Sequence, residues 1–127
     1  MSSVSSSAMV TMDEVAGIAL EFPEASEGVS YGRRAWLVRK KAFVWERPLS
    51  KADLQRLGSV PPPDGPLVGI RVGDLAEKEA VLAAGIKDVF TISHFDGYAA
   101  VLVQLNGVPQ RALRELLVDA SLATAAR

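Results

Sequence analysis

The sequence predicts an α+β fold, with a mostly antiparallel sheet of about five strands and helices packed on one of its faces. Two observations support this. Strand-like runs occur as hairpin pairs near residues 35–46 and 89–105, and capped or amphipathic helical segments lie between and around them. The chain of 127 residues fits a single domain. We assign residues 1–10 to a disordered leader that lacks the features of a signal peptide, and residues 11–127 to the domain.

The first helix begins at a capping box. Thr11 can accept a hydrogen bond from the amide of Glu14, and the Glu14 carboxylate can accept one from the amide of Thr11. Apolar residues then recur at helical spacing to about Glu21, and Pro23 ends the helix. Residues 24–32 are small, polar and turn-forming, which fits either a short edge strand or an extended loop.

The first hairpin joins residues 35–39 to residues 42–46 through Lys40-Lys41. Two lysines are poor residues for a primed turn, so we leave open a longer or bulged connection. Alternation places Trp36 on one face of the sheet together with Val38, while Leu37 lies on the other face.

The second half of the domain also contains capped helices, a strand and a hairpin. Ser50 caps a short helix that Gly58 ends, and residues 60–66 form a stiff, proline-rich surface loop. A strand at 67–72 leads to a helix that Asp74 caps. The second hairpin turns at Asp96-Gly97, and a helix that begins near Pro109 covers the sheet with an apolar stripe.

Composition excludes several classes of site. The chain has no cysteine and one histidine, which argues against disulfides, thiol nucleophiles and an all-protein zinc site, and we expect no cofactor. No apolar run approaches a membrane span, so we expect a cytoplasmic protein without a membrane partner. The net charge of −1 argues against a surface that is basic throughout.

Three blocks of sequence resemble the MmcQ/YjbR family of small bacterial proteins. They are Pro23-Glu-Ala-Ser-Glu-Gly-Val-Ser-Tyr-Gly32, the aromatic hairpin at 35–48, and Phe90-Thr-Ile-Ser-His-Phe-Asp-Gly-Tyr98. The resemblance covers roughly residues 11–120. It implies a CyaY-like, or secretion-chaperone-like, fold with the order α-β-β-β-α-β-β-α. Members of this family are commonly described as candidate DNA-binding proteins, so the resemblance implies the same role here.

Basic residues concentrate on the first hairpin, where they suggest a nucleic-acid-binding wing. Such a ribbon can contact phosphates, and interleaved tryptophans can stack on single-stranded bases. The alternative is that these cations keep the hairpin soluble and block edge pairing, while the tryptophans pack in the core. The predicted nucleic-acid-binding residues are Arg33, Arg34, Arg39, Lys40, Lys41 and Arg47.

His94 and Asp96 have the residue types of a general-base pair, but no nucleophile or phosphate loop accompanies them. The alternative is that His94 packs at the hairpin tip while Asp96 bonds to its own turn. We therefore assign no catalytic residue. If the hairpin tip lies beside Arg33 and Arg34, the two regions line a shallow cleft suited to an anion. The predicted cleft residues are Tyr31, Trp36, His94, Asp96 and Tyr98.

The sequence thus predicts a non-enzymatic DNA-binding protein that contacts phosphates through its basic hairpin. The alternative is a module that binds a protein or a small anionic ligand on a chaperone-like sheet, with no nucleic-acid role. We expect a monomer or a weak homodimer, in which an outer sheet face carrying Trp36 or Trp45 forms the interface.

Overall fold

The computed structural model describes residues 10–59 and 65–126, which form four α-helices and six β-strands. All six strands belong to one sheet in the order β1-β2-β3-β4-β6-β5, and every neighbouring pair is antiparallel. This confirms the α+β prediction. The sixth strand is β1, the segment that the sequence left open between strand and loop. The elements are α1 (Met12–Ala19), β1 (Ala25–Ser30), β2 (Arg33–Val38), β3 (Lys41–Glu46), α2 (Lys51–Leu57), β4 (Leu67–Arg71), α3 (Leu75–Ala83), β5 (Val89–Phe90), β6 (Ala100–Gln104) and α4 (Gln110–Ala125).

The predicted helix caps are present. Thr11 accepts from the Glu14 amide at 3.1 Å, and the Glu14 carboxylate accepts from the Thr11 amide at 2.9 Å. Ser50 and Asp53 form the same reciprocal pair at the start of α2. Asp74 accepts from the amide of Glu77 to cap α3. Local side-chain chemistry therefore fixes where these helices begin.

The two faces of the sheet are covered differently. The helix face packs against α1, α3 and α4 and forms the main core, to which Val68 and Ile70 of β4 contribute. On the opposite face, which we call the open face, a smaller cluster includes Ile92, Phe95 and Leu102. The short helix α2 contacts the 3-10 turn Ser93–Phe95, which belongs to this second cluster. The prediction of helices on one face thus holds for three of the four helices in the described chain.

The β2–β3 hairpin differs from its predicted form in its turn and in its register. The turn residues are Arg39 and Lys40, at positive φ of 53° and 70°, so Lys41 already belongs to β3. The register then shifts: Trp36 lies opposite Val44, but Leu37 lies opposite Ala42. A bulge at Phe43 absorbs the extra residue.

The second hairpin is shorter than predicted. Its first strand, β5, has two residues and pairs with β6 at Val89 and Phe90. Residues 91–99 then leave the ladder through the 3-10 turn and a bend in which Gly97 has a φ of 76°. Asp96-Gly97 is therefore part of a longer loop instead of a two-residue turn between paired strands.

Two predicted segments lie largely outside the described residues: positions 1–9 of the leader and 60–64 of the proline-rich loop. Val10, which we assigned to the leader, belongs to the core, and its amide donates to the carbonyl of Leu105 at 3.3 Å. None of the helices in the described ranges has the length and apolar character needed to cross a membrane.

Candidate functional site

A cavity of about 820 Å³ lies on the open face, between β2, β3 and β4 and the loop that follows β5. This volume is within the range typical of small-molecule sites. We call it the sheet-face cavity. Its lining combines ring-bearing and charged side chains with the smaller residues Ser30, Ala42 and Pro48. The ring-bearing residues are Tyr31, Trp45, His94, Phe95 and Tyr98, and the charged residues are Arg33, Glu46, Arg47 and Arg71.

Trp45 contributes its indole to the cavity because of the residue opposite it. In the ladder it pairs with Gly69 of β4. A Cβ atom at position 69 would lie 2.6 Å from the Trp45 ring, so only glycine leaves room for the indole to lie against the strand. Trp45 and Tyr98 have ring centroids 6.5 Å apart. We call the rings of Trp45, Phe95 and Tyr98 the aromatic wall. Trp45 places one part of this wall directly on the sheet.

Arg71 is held beside this wall at the end of β4. Its Nε donates to the carbonyl of Ala42 at 3.1 Å, and an Nη lies 3.5 Å from the hydroxyl of Tyr98. The guanidinium also lies over the Tyr98 ring, 5.9 Å from its centroid. These contacts fix the position of the cation but leave its charge uncompensated, because they involve a carbonyl, a hydroxyl and a ring.

Arg33 approaches the cavity from the β1–β2 side. Within residues 10–59 and 65–126, neither Arg33 nor Arg71 forms an ion pair. The preceding turn holds Tyr31, whose side chain is fully exposed at 101% and whose φ is +52°. Glu46, the carboxylate in the lining, already accepts a hydrogen bond from the backbone amide of Arg34 at 3.1 Å.

Arg47 is the third cation of the lining, and it has a partner. Its Nη2 lies 3.1 Å from Oδ2 of Asp53, which is 3% exposed. Burial alone would raise the pKa of Asp53, but hydrogen bonds from Ser50 and the Arg47 guanidinium outweigh it, so this pKa lies below its ordinary value. The guanidinium also lies 5.5 Å from the ring centroid of Phe95. Arg47 thus ties α2 to the aromatic wall.

Lys78 of α3 supports the loop that carries the wall. Its side chain is buried, and Nζ donates to the carbonyls of Phe95 at 2.6 Å and Tyr98 at 2.9 Å. Burial lowers the pKa of Lys78, while the nearby charge of Asp96 raises it in part. A buried ammonium that binds two successive turns of this loop holds the rings of Phe95 and Tyr98 in place.

The structure brings together part of the predicted cleft. Tyr31, His94 and Tyr98 all line the sheet-face cavity. Trp36 does not: it is 0% exposed on the helix face, where its Nε1 donates to Glu27. Trp36 is consequently also unavailable as a dimer interface. Asp96 is exposed and lies outside the lining.

The predicted nucleic-acid-binding residues divide between different surfaces. Arg33 and Arg47 line the cavity. Arg34 lies on the helix side, where it pairs with Asp13 and Glu27, and its pKa is raised above its ordinary value by these carboxylates. The remaining cations lie at the other end of the hairpin, about 20 Å from Arg33 along a six-residue strand. They are Arg39, which pairs with Glu24 and donates to the carbonyl of Ala125, and the exposed lysines Lys40 and Lys41.

His94 and Asp96 form no hydrogen bond with each other in the described part of the chain, and both side chains are exposed. The nearest ring to His94 that the structure records is Phe95, at 6.2 Å between centroids. The described residues also contain no group of three or more His, Asp or Glu side chains that could hold a metal ion.

Two important residues were missed by the sequence reasoning. Arg71 is the one charged residue in the apolar run 67–72, and its place at a strand end was a usable signal. Lys78 lies three and four residues before Val81 and Leu82, on the apolar side of α3, where a lysine is unexpected unless it has buried partners. The carbonyls that bind it come from a loop distant in sequence, so their identity needed the fold.

Three mycobacterial proteins are similar to this chain along most of its length. They are uncharacterized proteins Rv2570 and MT2646 of Mycobacterium tuberculosis (strains H37Rv and CDC 1551) and Mb2600 of Mycobacterium bovis. Each is 44% identical over 117 residues, which cover 90% of this chain and 88% of the relative. No family model matches the chain, and no solved structure matches it. The resemblance to the MmcQ/YjbR family therefore stays a prediction.

Proposed function

We propose that this chain binds a small organic anion in the sheet-face cavity. The chain belongs to the same family as the bacterial proteins Rv2570, MT2646 and Mb2600. The observation that carries the proposal is the pair Arg33 and Arg71. Both line the cavity, and neither has an ion-pair partner among the described residues. A guanidinium offers a planar set of donors that matches a carboxylate or a phosphate.

The distribution of charge in the rest of the chain supports this choice. Arg34, Arg39, Arg47 and Arg114 each pair with a carboxylate, so much of their charge is compensated within the protein. Arg71 differs because its contacts hold the guanidinium in position without neutralising it. A cation held in a defined place costs little entropy when an anion binds to it.

The proposal is tested by titrating inorganic phosphate and small carboxylates into the protein at low salt, followed by heteronuclear NMR. We expect shifts concentrated at the cavity and an affinity that falls at least tenfold in Arg71→Met. Arg33→Met should weaken binding in the same direction.

A matched control is Arg114→Met on α4, where the native guanidinium pairs with Glu21. It removes the same charge away from the cavity and should leave the affinity within twofold of wild type. An Arg71→Met protein that binds as tightly as wild type, or the lack of binding by any anion at low salt, would contradict the proposal.

We propose nucleic-acid binding through the hairpin tip as a second function. The supporting observation is that Arg39 and Lys40 occupy two consecutive positive-φ positions, which glycine or asparagine would adopt at lower cost. Arg39 already pairs with Glu24, whereas Lys40 forms no ion pair among the described residues, so its retention at this position suggests a use outside the fold. With two to three cations contacting phosphates, the binding constant should fall with salt at a log–log slope of about −2 to −3.

Titration of labelled duplex and single-stranded DNA at several salt concentrations checks this second proposal. Replacing Lys40 and Lys41 with alanine should flatten the slope by about two. A slope unchanged in the double variant would refute the wing.

A further inference from the structure

We infer that the anion bound in the sheet-face cavity carries a planar aromatic ring, which packs against Trp45 and Tyr98 beneath the side chain of Tyr31. This inference rests on the proposed anion-binding function and specifies its ligand class. The anionic group is a carboxylate or a phosphate, so the class includes both aromatic carboxylates and nucleoside monophosphates.

The first support is the exposure of the aromatic side chains that line the cavity. Phe95 is 3% exposed, and its packing in the second cluster explains its presence. Tyr98 and Tyr31 are different, because they are 41% and 101% exposed. Large exposed aromatic side chains that share one cavity offer apolar area to a ligand instead of to the protein core.

The second support is the backbone at Tyr31. Tyr31 and Gly32 join β1 to β2 with positive φ at both positions, +52° and +77°. Asn-Gly is the preferred pair for such a turn, and a tyrosine in this conformation costs stability. The side chain gains no burial in return. A strained and fully exposed aromatic residue at a cavity rim is explained if the ring covers a bound ligand.

The third support is the adjacency of ring and cation. The guanidinium of Arg71 lies 5.9 Å from the Tyr98 centroid, so a ligand ring on this wall would bring its substituent next to Arg71. Trp45, held against Gly69, extends the same wall, with its ring centroid 6.5 Å from that of Tyr98. A single molecule that is both planar and anionic satisfies both groups at once.

The test uses two probe pairs, each with equal charge and one aromatic member. Benzoate is compared with cyclohexanecarboxylate, and adenosine 5′-monophosphate with ribose 5-phosphate, by NMR titration of the full chain. We expect the aromatic member to bind at least tenfold tighter in one pair or both, as ring stacking commonly gives. Preference for the aromatic member of the first pair alone identifies the ligand as an aromatic carboxylate. Preference for the aromatic member of the second pair identifies it as a nucleotide.

Two variants locate the effect. Tyr98→Leu keeps apolar volume but removes the ring, and it should reduce the aromatic preference to threefold or less. Tyr31→Asn should reduce it as well while leaving the protein at least as stable as wild type, so loss of folding cannot explain the result. In both variants the readout is the ratio of the affinities of the two members of a probe pair, because Tyr98 also positions Arg71 and a change in anion affinity would affect both members alike.

The outcomes separate this inference from the function on which it rests. If aromatic and non-aromatic probes bind equally within twofold and both depend on Arg71, anion binding stands and the aromatic ligand class is overturned. If none of the four probes binds at low salt, both are overturned. An aromatic preference that persists unchanged in Tyr31→Asn and Tyr98→Leu would also overturn the proposed position of the ring.

Discussion

Replacing Lys78 with methionine tests how the cavity wall is held. Methionine keeps the length and most of the apolar contact of the lysine stem but removes the ammonium. In the native chain this ammonium is buried and donates to the carbonyls of Phe95 at 2.6 Å and Tyr98 at 2.9 Å. Both residues line the sheet-face cavity. The change therefore targets the loop from inside the protein.

The expected cost follows from the bonds that are lost and those that remain. Hydrogen bonds from a charged donor contribute about 1.5–3 kcal/mol each, so two of them set an upper limit of about 6 kcal/mol. Each carbonyl keeps a backbone partner, since Phe95 O also accepts from the Tyr98 amide and Tyr98 O from the Ala100 amide. Removing the ammonium also relieves its desolvation. We therefore expect a loss of about 2 kcal/mol in the free energy of unfolding.

Urea unfolding followed by circular dichroism measures this loss, and the midpoint of thermal unfolding should fall by about 8 °C. Lys87→Met, at an exposed lysine close to the end of α3, is the control and should change stability by less than 0.5 kcal/mol, about the usual limit for surface substitutions. A Lys78→Met protein as stable as this control would refute the loop-holding role.

The pH dependence gives a second readout for Lys78. Because burial lowers its folded-state pKa below the ordinary value of 10.5, the unfolded chain binds more protons in the interval between the two values. Wild-type stability should therefore gain from this group as the pH rises through that interval. Lys78→Met should lack this gain.

Three further substitutions test the parts that surround the cavity. Asp53→Asn should cost about 2–3 kcal/mol in urea unfolding, because it leaves Arg47 without its buried partner. The folded-state pKa of Asp53 is lowered from 3.8, so its contribution to the free energy of unfolding is present above that pH and is lost as the pH falls through the folded-state pKa. The stabilities of wild type and Asp53→Asn should therefore converge in acid. A difference in stability that stays constant with pH would contradict this. Gly69→Ala should cost about 2 kcal/mol through overpacking against Trp45, and the cost should largely disappear in a Trp45→Leu background. Tyr31→Asn should raise stability by about 0.5–1 kcal/mol by relaxing the turn, and a destabilised variant would show that Tyr31 is not strained.

The helices were the most predictable part of the fold because their signals are local. The side chains of Thr11 and Ser50 bond within three residues of their own positions, so the capping boxes appear in the sequence as they do in the structure. The same holds for Asp74. The turns were less predictable. Arg39-Lys40 adopts a primed turn that its residue types disfavour, because pairing on both sides of the hairpin imposes it.

The cavity was predictable only in part. The aromatic loop and the β1–β2 turn carry recognisable residues, and three of the residues that the sequence grouped, Tyr31, His94 and Tyr98, line the same cavity. The face on which Trp45 lies was not open to the same reasoning. Alternation along a strand assigns faces correctly only while the register is regular, and a bulge reverses the assignment of every residue beyond it.

The bulge in β3 determines which side chains of this strand lie on the open face. The bulge at Phe43 lets Phe43 and Val44 both contribute to the core under the helices, and Trp45 then lies on the same face as Ala42. Without the extra residue, the indole would point toward the helices and the aromatic wall would lose its base. Because Trp45 pairs with Gly69 in the next strand, the bulge and the glycine together create the space that the indole occupies. The cavity is thus a consequence of sheet register as much as of the side chains that line it.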